Sequence, residues 1–210
     1  MLELKGIHYH PATSDNPVLE EVTLKANKGE PLIISGPSGS GKTSLIEVIS
    51  GLAAPTQGRI AWNNESVSDR QRRSICGVVF QFPERHFIGL TVSQELKLGH
   101  RRLQEELQSE VLQKVGLSLL NLKELPERLS GGQQRRLAIA VQLIRKPEIL
   151  LLDEPTAGLD WSVRDEILQL IKLLSKEQLL IIVTHEPQLF ASWNINNYQL
   201  TNGKLRNSLY

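Results

Sequence analysis

The densest chemical signal in the chain is an octet, Gly36-Pro37-Ser38-Gly39-Ser40-Gly41-Lys42-Thr43. Its spacing is that of a phosphate-binding loop, G-x-x-x-x-G-K-[ST], and it stands between an apolar run and a helical pattern, where such a loop has to stand. Glycines let the backbone curl so that successive N–H groups face phosphate oxygens, and the N-terminus of the following helix adds partial positive charge. Lys42 would reach the β- and γ-phosphates of a nucleotide, the Thr43 hydroxyl would ligate Mg²⁺, and Ser44 is a further nucleotide contact. A plain glycine turn has no use for Lys-Thr at its end. The loop alone leaves kinases, GTPases and several kinds of ATPase open.

A second octet, Leu129-Ser130-Gly131-Gly132-Gln133-Gln134-Arg135-Arg136, narrows the choice. Ser130 reads as an N-cap, and two glycines open a helix whose first N–H groups are free to meet an anion. This octet resembles the signature motif of the ATP-binding cassette (ABC) ATPases. Ile149-Leu150-Leu151-Leu152-Asp153-Glu154-Pro155 resembles that family's Walker B strand, a buried strand that delivers two carboxylates at its carboxyl end, where ligands of open α/β sheets bind. The resemblance implies that Asp153 holds Mg²⁺, directly or through water, and that Glu154 is the general base for the attacking water.

Further likenesses follow along the chain. Ala157-Gly158-Leu159-Asp160 resembles the D-loop and Val183-Thr184-His185-Glu186 the switch-histidine region, which would set His185 against the γ-phosphate. Gln81, in Val78-Val79-Phe80-Gln81-Phe82-Pro83-Glu84, resembles the Q-loop glutamine, a Mg²⁺ ligand that also marks the hinge into a helical lobe. Tyr9 is the candidate for stacking on adenine, with His8 and His10 as neighbours able to take its place. Lys42, Glu154 and His185 are thus the expected catalytic set, and Thr43, Gln81 and Asp153 the expected metal ligands. Ser130, Gly131, Gly132, Gln133 and Asp160 join the phosphate loop as expected ATP contacts.

These residues need a frame. Leu2 to Ile7, Val22 to Lys25 and Leu32 to Ser35 read as strands, the first two as an antiparallel edge, and Thr43 to Ser50 as a helix ended by Gly51. Arg59 to Trp62 and Gly77 to Phe80 read as further strands. Between about residues 85 and 130, Leu103, Leu107, Val111 and Val115 recur every fourth position as one helical stripe. From Gly132 the order is helix, strand, helix, strand: Gln133 to Arg145, Ile149 to Asp153, Ser162 to Ser175, Leu179 to Thr184. The two strands are apolar without alternation, as expected in a parallel sheet covered on both faces. The predicted class is α/β, a P-loop NTPase with a RecA-like parallel sheet, an antiparallel β edge and a helical signature subdomain. One cassette is expected over 1–210, with 1–84 and 145–210 as core and about 85–144 as the helical part.

Composition sets the outer bounds. The 210 residues are 40% apolar and 22% charged with a formal net charge of +1, ordinary for a globular domain and without the basic excess of a dedicated nucleic-acid binder. The longest apolar runs fall far short of the roughly 20 residues that cross a bilayer. The N-terminus does not read as a secretory signal, and the single cysteine, Cys76, reads as a small core residue. These features favour a cytoplasmic chain. The short basic runs Arg70 to Arg73 and Arg101-Arg102 read as solvated surface.

A phosphate loop and a signature helix are two half-sites on one chain, so the resemblance implies a head-to-tail dimer, homo- or heteromeric, with each ATP held between Lys42 of one copy and Ser130 of the other. It also implies borrowed transmembrane subunits and a place on the inner face of the membrane. Gln81-Phe82-Pro83-Glu84, Phe87 and Thr91-Val92-Ser93-Gln94-Glu95-Leu96 look most like the ATPase components of energy-coupling-factor importers of vitamins and metal ions, and their single-domain cyanobacterial and plastid homologues. Arg85-His86 departs from that pattern. The alternative is an ABC ATPase without a transport role, an assembly factor or mechanical clamp.

Overall fold

Unbroken runs of branched apolar residues, too short for helices, become strands buried along their whole length. The computed structural model describes residues 1–100, 102–193 and 195–208, and the chain divides into two units. The first takes residues 1–78, 148–154 and 174 onward; the second takes 79–147 and 155–173.

The first unit contains β1 (Leu2–Tyr9), β2 (Leu19–Ala26), β3 (Leu32–Ser35), α1 (Lys42–Ser50), β4 (Gln57–Trp62), β5 (Glu65–Ser66), α2 (Asp69–Ile75) and, at its border, β6 (Cys76–Val79). It resumes with β7 (Ile149–Asp153), β8 (Leu179–Thr184), β9 (Asn196–Thr201) and β10 (Lys204–Asn207). Strands β2-β1-β4-β5 form an antiparallel sheet, and β10-β9-β3-β8-β7-β6 a second sheet of six. Within the six, β9, β3, β8 and β7 run parallel to one another, and β10 is antiparallel to β9. Ile33, Ile34, Leu150, Leu151, Ile181 and Ile182 are buried at its centre, as a sheet covered on both faces requires. Register decides what the site receives. Ser35 pairs with Thr184 and Asp153 with Val183, so three adjacent strands end at one level and turn their next residues out at one edge.

Helices make up the second unit: α3 (Val92–Leu96), α4 (Glu105–Lys114), α5 (Gly131–Ile144) and α6 (Trp161–Leu174), the last ending in the first unit. In α5, Leu137, Ile139, Ala140 and Ile144 are buried. Arg136 ties the group together, donating to the Val115 carbonyl at 2.9 Å and to Glu166 at 2.5 Å.

Several sequence expectations need correction. Leu103 lies ahead of α4 and Val115 caps it, because Glu105 and Glu106 favour a helix N-terminus after Gln104 and Gly116, at φ +72°, ends the turn that follows. Phe80 falls outside β6. The Arg70 to Arg73 run is not simply solvated: Arg72 is buried and donates to the Val67 carbonyl and Asp69, while Arg73 reaches the Gly51 carbonyl. Arg101 lies outside the described residues. Cys76 is buried, as expected.

Candidate functional site

Gly36 follows directly on β3 and cannot be larger: a Cβ there would lie 2.3 Å from the Leu200 carbonyl oxygen and 2.7 Å from Ser40 Oγ. Gly39 and Gly41 adopt φ +77° and +101°, the left-handed region that glycine enters freely. Gly41 is the N-cap of α1 and no side chain caps that end, which leaves the first amides of the helix to an outside acceptor. Ser40 Oγ is buried with no hydrogen-bond partner. Pro37, Ser38, Gly39 and Thr43 are exposed and Ser44 is half-buried. Lys42 folds back over the loop, its Nζ donating to the carbonyls of Gly36 at 2.8 Å and Pro37 at 3.0 Å. The result is an open cradle of amides with an ammonium at its mouth, built for a phosphate chain.

Asp153 reaches the same cradle from the end of β7. The Thr43 hydroxyl donates to its Oδ2 at 2.7 Å. Asp153 is only 3% exposed. Burial pushes the carboxyl above its ordinary range, opposed by the Thr43 hydrogen bond, reinforced by the neighbouring Glu154 charge and offset in part by Lys42. A buried carboxylate beside a hydroxyl, at the lip of a phosphate cradle, fits a Mg²⁺ ion: that ion takes few protein ligands and completes its shell with phosphate oxygens and water. No group of three or more His, Cys, Asp or Glu among the described residues forms a metal cluster of its own, and such a site does not need one.

Glu154 is held by β8. Its N–H donates to the Val183 carbonyl at 2.9 Å, its Oε2 accepts the Thr184 hydroxyl at 3.0 Å, and its Oε1 lies 2.8 Å from Nδ1 of His185. Its backbone is left-handed, φ +46°. The His185 side chain is 55% exposed, so one face of this pair meets solvent while the carboxylate stays buried. Sequence reasoning quoted Thr184 without giving it a role; its place immediately before His185 was the available signal.

Tyr9 is half-buried at the end of β1 and pairs with Leu19. Val18 and Leu19 in turn abut Gly41, whose added Cβ would meet them at 3.0 to 3.3 Å, so Tyr9 sits one strand from the phosphate loop. His8 is half-buried opposite Gln57. His10 is exposed, and its Nε2 lies 2.8 Å from the Ser14 carbonyl.

The second unit carries the remaining candidates. Ser130 caps α5 through a reciprocal box, its hydroxyl accepting the Gln133 N–H at 3.3 Å and its own N–H donating to Gln133 Oε1 at 3.0 Å. Ser130, Gly131 and Gln133 are exposed; Gly132 is buried, with Val163 Cγ1 2.5 Å from where its Cβ would be. Asp160 is exposed and accepts at its backbone carbonyl from the Arg164 N–H at 2.8 Å. Arg135, buried, donates to the Ala157 carbonyl at 3.0 Å, tying the helix to the loop that carries Asp160. Gln81 is exposed, next to Phe82, which at φ +53° supports the Arg85 guanidinium 4.9 Å from its ring centre. Lys42, Thr43, Asp153, Glu154 and His185 are therefore brought together within the first unit. Ser130, Gly131, Gly132, Gln133, Asp160 and Gln81 belong to the second.

Comparison with known proteins places this geometry. The ABC transporter family model matches residues 19–157. The chain is 35% identical to ABC transporter I family member 11, chloroplastic, of Arabidopsis thaliana, over 96% of this chain and 78% of that protein. It is 38% identical to the energy-coupling factor transporter ATP-binding protein EcfA2 of Clostridium acetobutylicum, over 86% of this chain and 68% of the other. Among solved structures, cbiO1 of Clostridium perfringens, part of the ABC transporter complex cbiONQ, superposes with a TM-score of 0.87 at 28% identity, covering 98% of this chain and 86% of that one. A bacterial ABC transporter cassette in dimeric form superposes with a TM-score of 0.83 at 30% identity, covering 98% and 97%. The phosphate cradle, the two carboxylates at the strand ends and these likenesses agree, and the chain belongs to the ABC transporter family as an ATP-hydrolysing cassette.

Proposed function

We propose that this chain is the ATPase subunit of a transporter of the energy-coupling-factor kind, hydrolysing Mg²⁺-ATP as a dimer to drive separate transmembrane subunits at the inner face of the membrane. Vitamin or metal-ion uptake is the proposed task, by likeness to relatives named as energy-coupling factor ATP-binding proteins. No helix among the described residues is long and apolar enough to cross a membrane, so the membrane path is assigned to other chains.

The amides from Gly36 to Thr43, with Lys42, take the phosphate chain. Thr43 and Asp153 would hold Mg²⁺, which when bound would neutralise charge on the phosphoryl oxygens; the resemblance alone assigns Gln81 to the same ion. Tyr9 is assigned to the adenine. Glu154 takes a proton from the attacking water as the water oxygen bonds the γ-phosphorus and the bond to the bridging oxygen breaks, leaving ADP and phosphate. His185, with its Nδ1–H on Glu154, orients that carboxylate. Ser130, Gly131, Gly132, Gln133 and Asp160 are assigned to the nucleotide bound by a second copy or a homologous subunit: Ser130 caps the Gln133 N–H, the positive end of the α5 dipole still favours an anion, and a two-fold pairing brings one to it. Hydrolysis removes the contact that holds such a pair closed, and that loss is the work step.

The observation that carries this reading is Glu154, buried and hydrogen-bonded at both carboxylate oxygens beside the Thr43–Asp153 pair. Glu154→Gln should keep ATP affinity while lowering turnover by about 100-fold or more. Steady-state phosphate release and nucleotide titration decide it: wild-type turnover in that variant refutes the base assignment. Co-purification from membranes in mild detergent tests the transport half, a bound transmembrane subunit being the expected result.

A further inference from the structure

Three consecutive residues of β8 and its end grip Glu154 at three different atoms. Val183 takes its N–H, as strand pairing requires, and His185 meets Oε1. The middle grip is the unexplained one. Thr184 is 0% exposed, and its hydroxyl does two things at once: it accepts the Glu186 N–H at 3.0 Å and donates to Glu154 Oε2 at 3.0 Å. The accepted bond occupies a lone pair and orients the hydroxyl, which leaves its single proton for the carboxylate. A β-branched side chain in a buried strand has little χ1 freedom, so this donor is a fixed point. Glu154, by contrast, has a long side chain with several rotamers.

We propose that Thr184 is a positioning residue for ATP hydrolysis: its hydroxyl, aligned by the Glu186 amide, fixes Oε2 of Glu154 and so sets the direction in which the carboxylate meets the attacking water. The inference rests on the reading of Glu154 as general base. Thr184 touches neither nucleotide nor water in this role; it acts through Glu154 alone.

The test uses the full chain, with Thr184→Val to remove the hydroxyl at nearly constant volume and Thr184→Ser to restore it. Thr184→Val should lower kcat roughly 10- to 100-fold, the scale of a misaligned acid–base group, with KM and ATP affinity within about 2-fold of wild type. Thr184→Ser should return kcat to within about 3-fold of wild type. In a Glu154→Gln background, Thr184→Val should add no further loss, because two residues acting as a unit are not additive. A wild-type kcat in Thr184→Val, a Thr184→Ser as slow as the Val variant, or a further loss in the double variant each overturns the proposal. Should the Val variant fail to fold, Thr184→Ala, which has no donor, carries the same expectation. A silent Glu154→Gln beside an active Thr184→Val sinks this inference alone; an active Glu154→Gln sinks the reading beneath it.

Discussion

A methyl group placed on Gly132 separates packing from chemistry in the signature helix. It would sit 2.5 Å from Val163 Cγ1, 3.8 Å from Cβ and 3.9 Å from Cγ2, so one atom makes the whole clash. Carbon atoms in contact rest about 3.5 to 4.0 Å apart, and α5 and α6 must therefore open by about 1.0 to 1.5 Å unless Val163 turns away. Turning is costly, because valine in a helix has one strongly preferred χ1. Overpacking of this kind costs about 1 to 3 kcal/mol. Replacing glycine by alanine in a helix returns up to about 1 kcal/mol, so Gly132→Ala should destabilise the chain by about 1 to 2 kcal/mol, a fall of about 3 to 6 °C for a chain of this length. Val163→Ala removes the clashing carbon. In that background the same Gly132→Ala should become neutral or slightly stabilising, so its sign reverses. Thermal unfolding of the four chains without nucleotide measures the coupling, expected at about 1 to 3 kcal/mol. An equal Tm change from Gly132→Ala in both backgrounds refutes the packing account.

Two more substitutions test the phosphate side. Asp153→Asn should melt higher than the wild type at pH 7 without nucleotide, because the wild type holds a carboxylate whose pKa burial has raised. Below the unfolded-state value both forms are protonated and the advantage vanishes; it grows as pH rises and levels off above the raised folded value. Mg²⁺-ATP should reverse the order, since only the wild type gains full stabilisation from the ion, and a lower apo Tm for the variant at pH 7 contradicts the burial argument. Gly36→Ala places a Cβ 2.3 Å from the Leu200 carbonyl oxygen, so the loop must shift off β9; ATP affinity should fall by at least about 10-fold, and an unchanged dissociation constant in nucleotide titration refutes the close-approach reading.

How legible each part was in the sequence follows from how local its physics is. The phosphate loop is contiguous, and each residue's reason lies within a few positions of it, so Gly36 to Thr43 could be read whole. Strands β7 and β8 announced themselves as apolar runs because both faces are buried. The hairpin β9–β10 did not: of Asn196–Thr201 only Leu200 is buried, so no apolar pattern exists, and only Asn202-Gly203, both at positive φ, marks the turn. Helix α2 was hidden by the basic run Arg70 to Arg73, although Ser68 and Gln71 spell out the capping box that starts it. The stripe through Leu103 and Val115 overran α4 because period alone carries no stop signal, whereas Glu105 and Gly116 do.

Glu154 shows where local reading must stop. Pro155 keeps the preceding residue out of the right-handed helical region, and Glu154 adopts φ +46°, a conformation that costs a residue with a Cβ on the order of 1 kcal/mol. Nothing in the Leu-Asp-Glu-Pro run announces that choice. The compensation comes from 30 positions away, where Thr184 donates to Oε2 and Val183 and His185 supply the flanking contacts. A left-handed turn rotates Glu154 out of the alternation of β7, so that Asp153 serves Thr43 while Glu154 serves β8, and two adjacent carboxylates face different partners. Had the strand continued regularly, one of the two would have pointed to the opposite face of the sheet. The strain at Glu154 is thus what lets neighbouring residues enter one site, and the grip of β8 is what keeps it there.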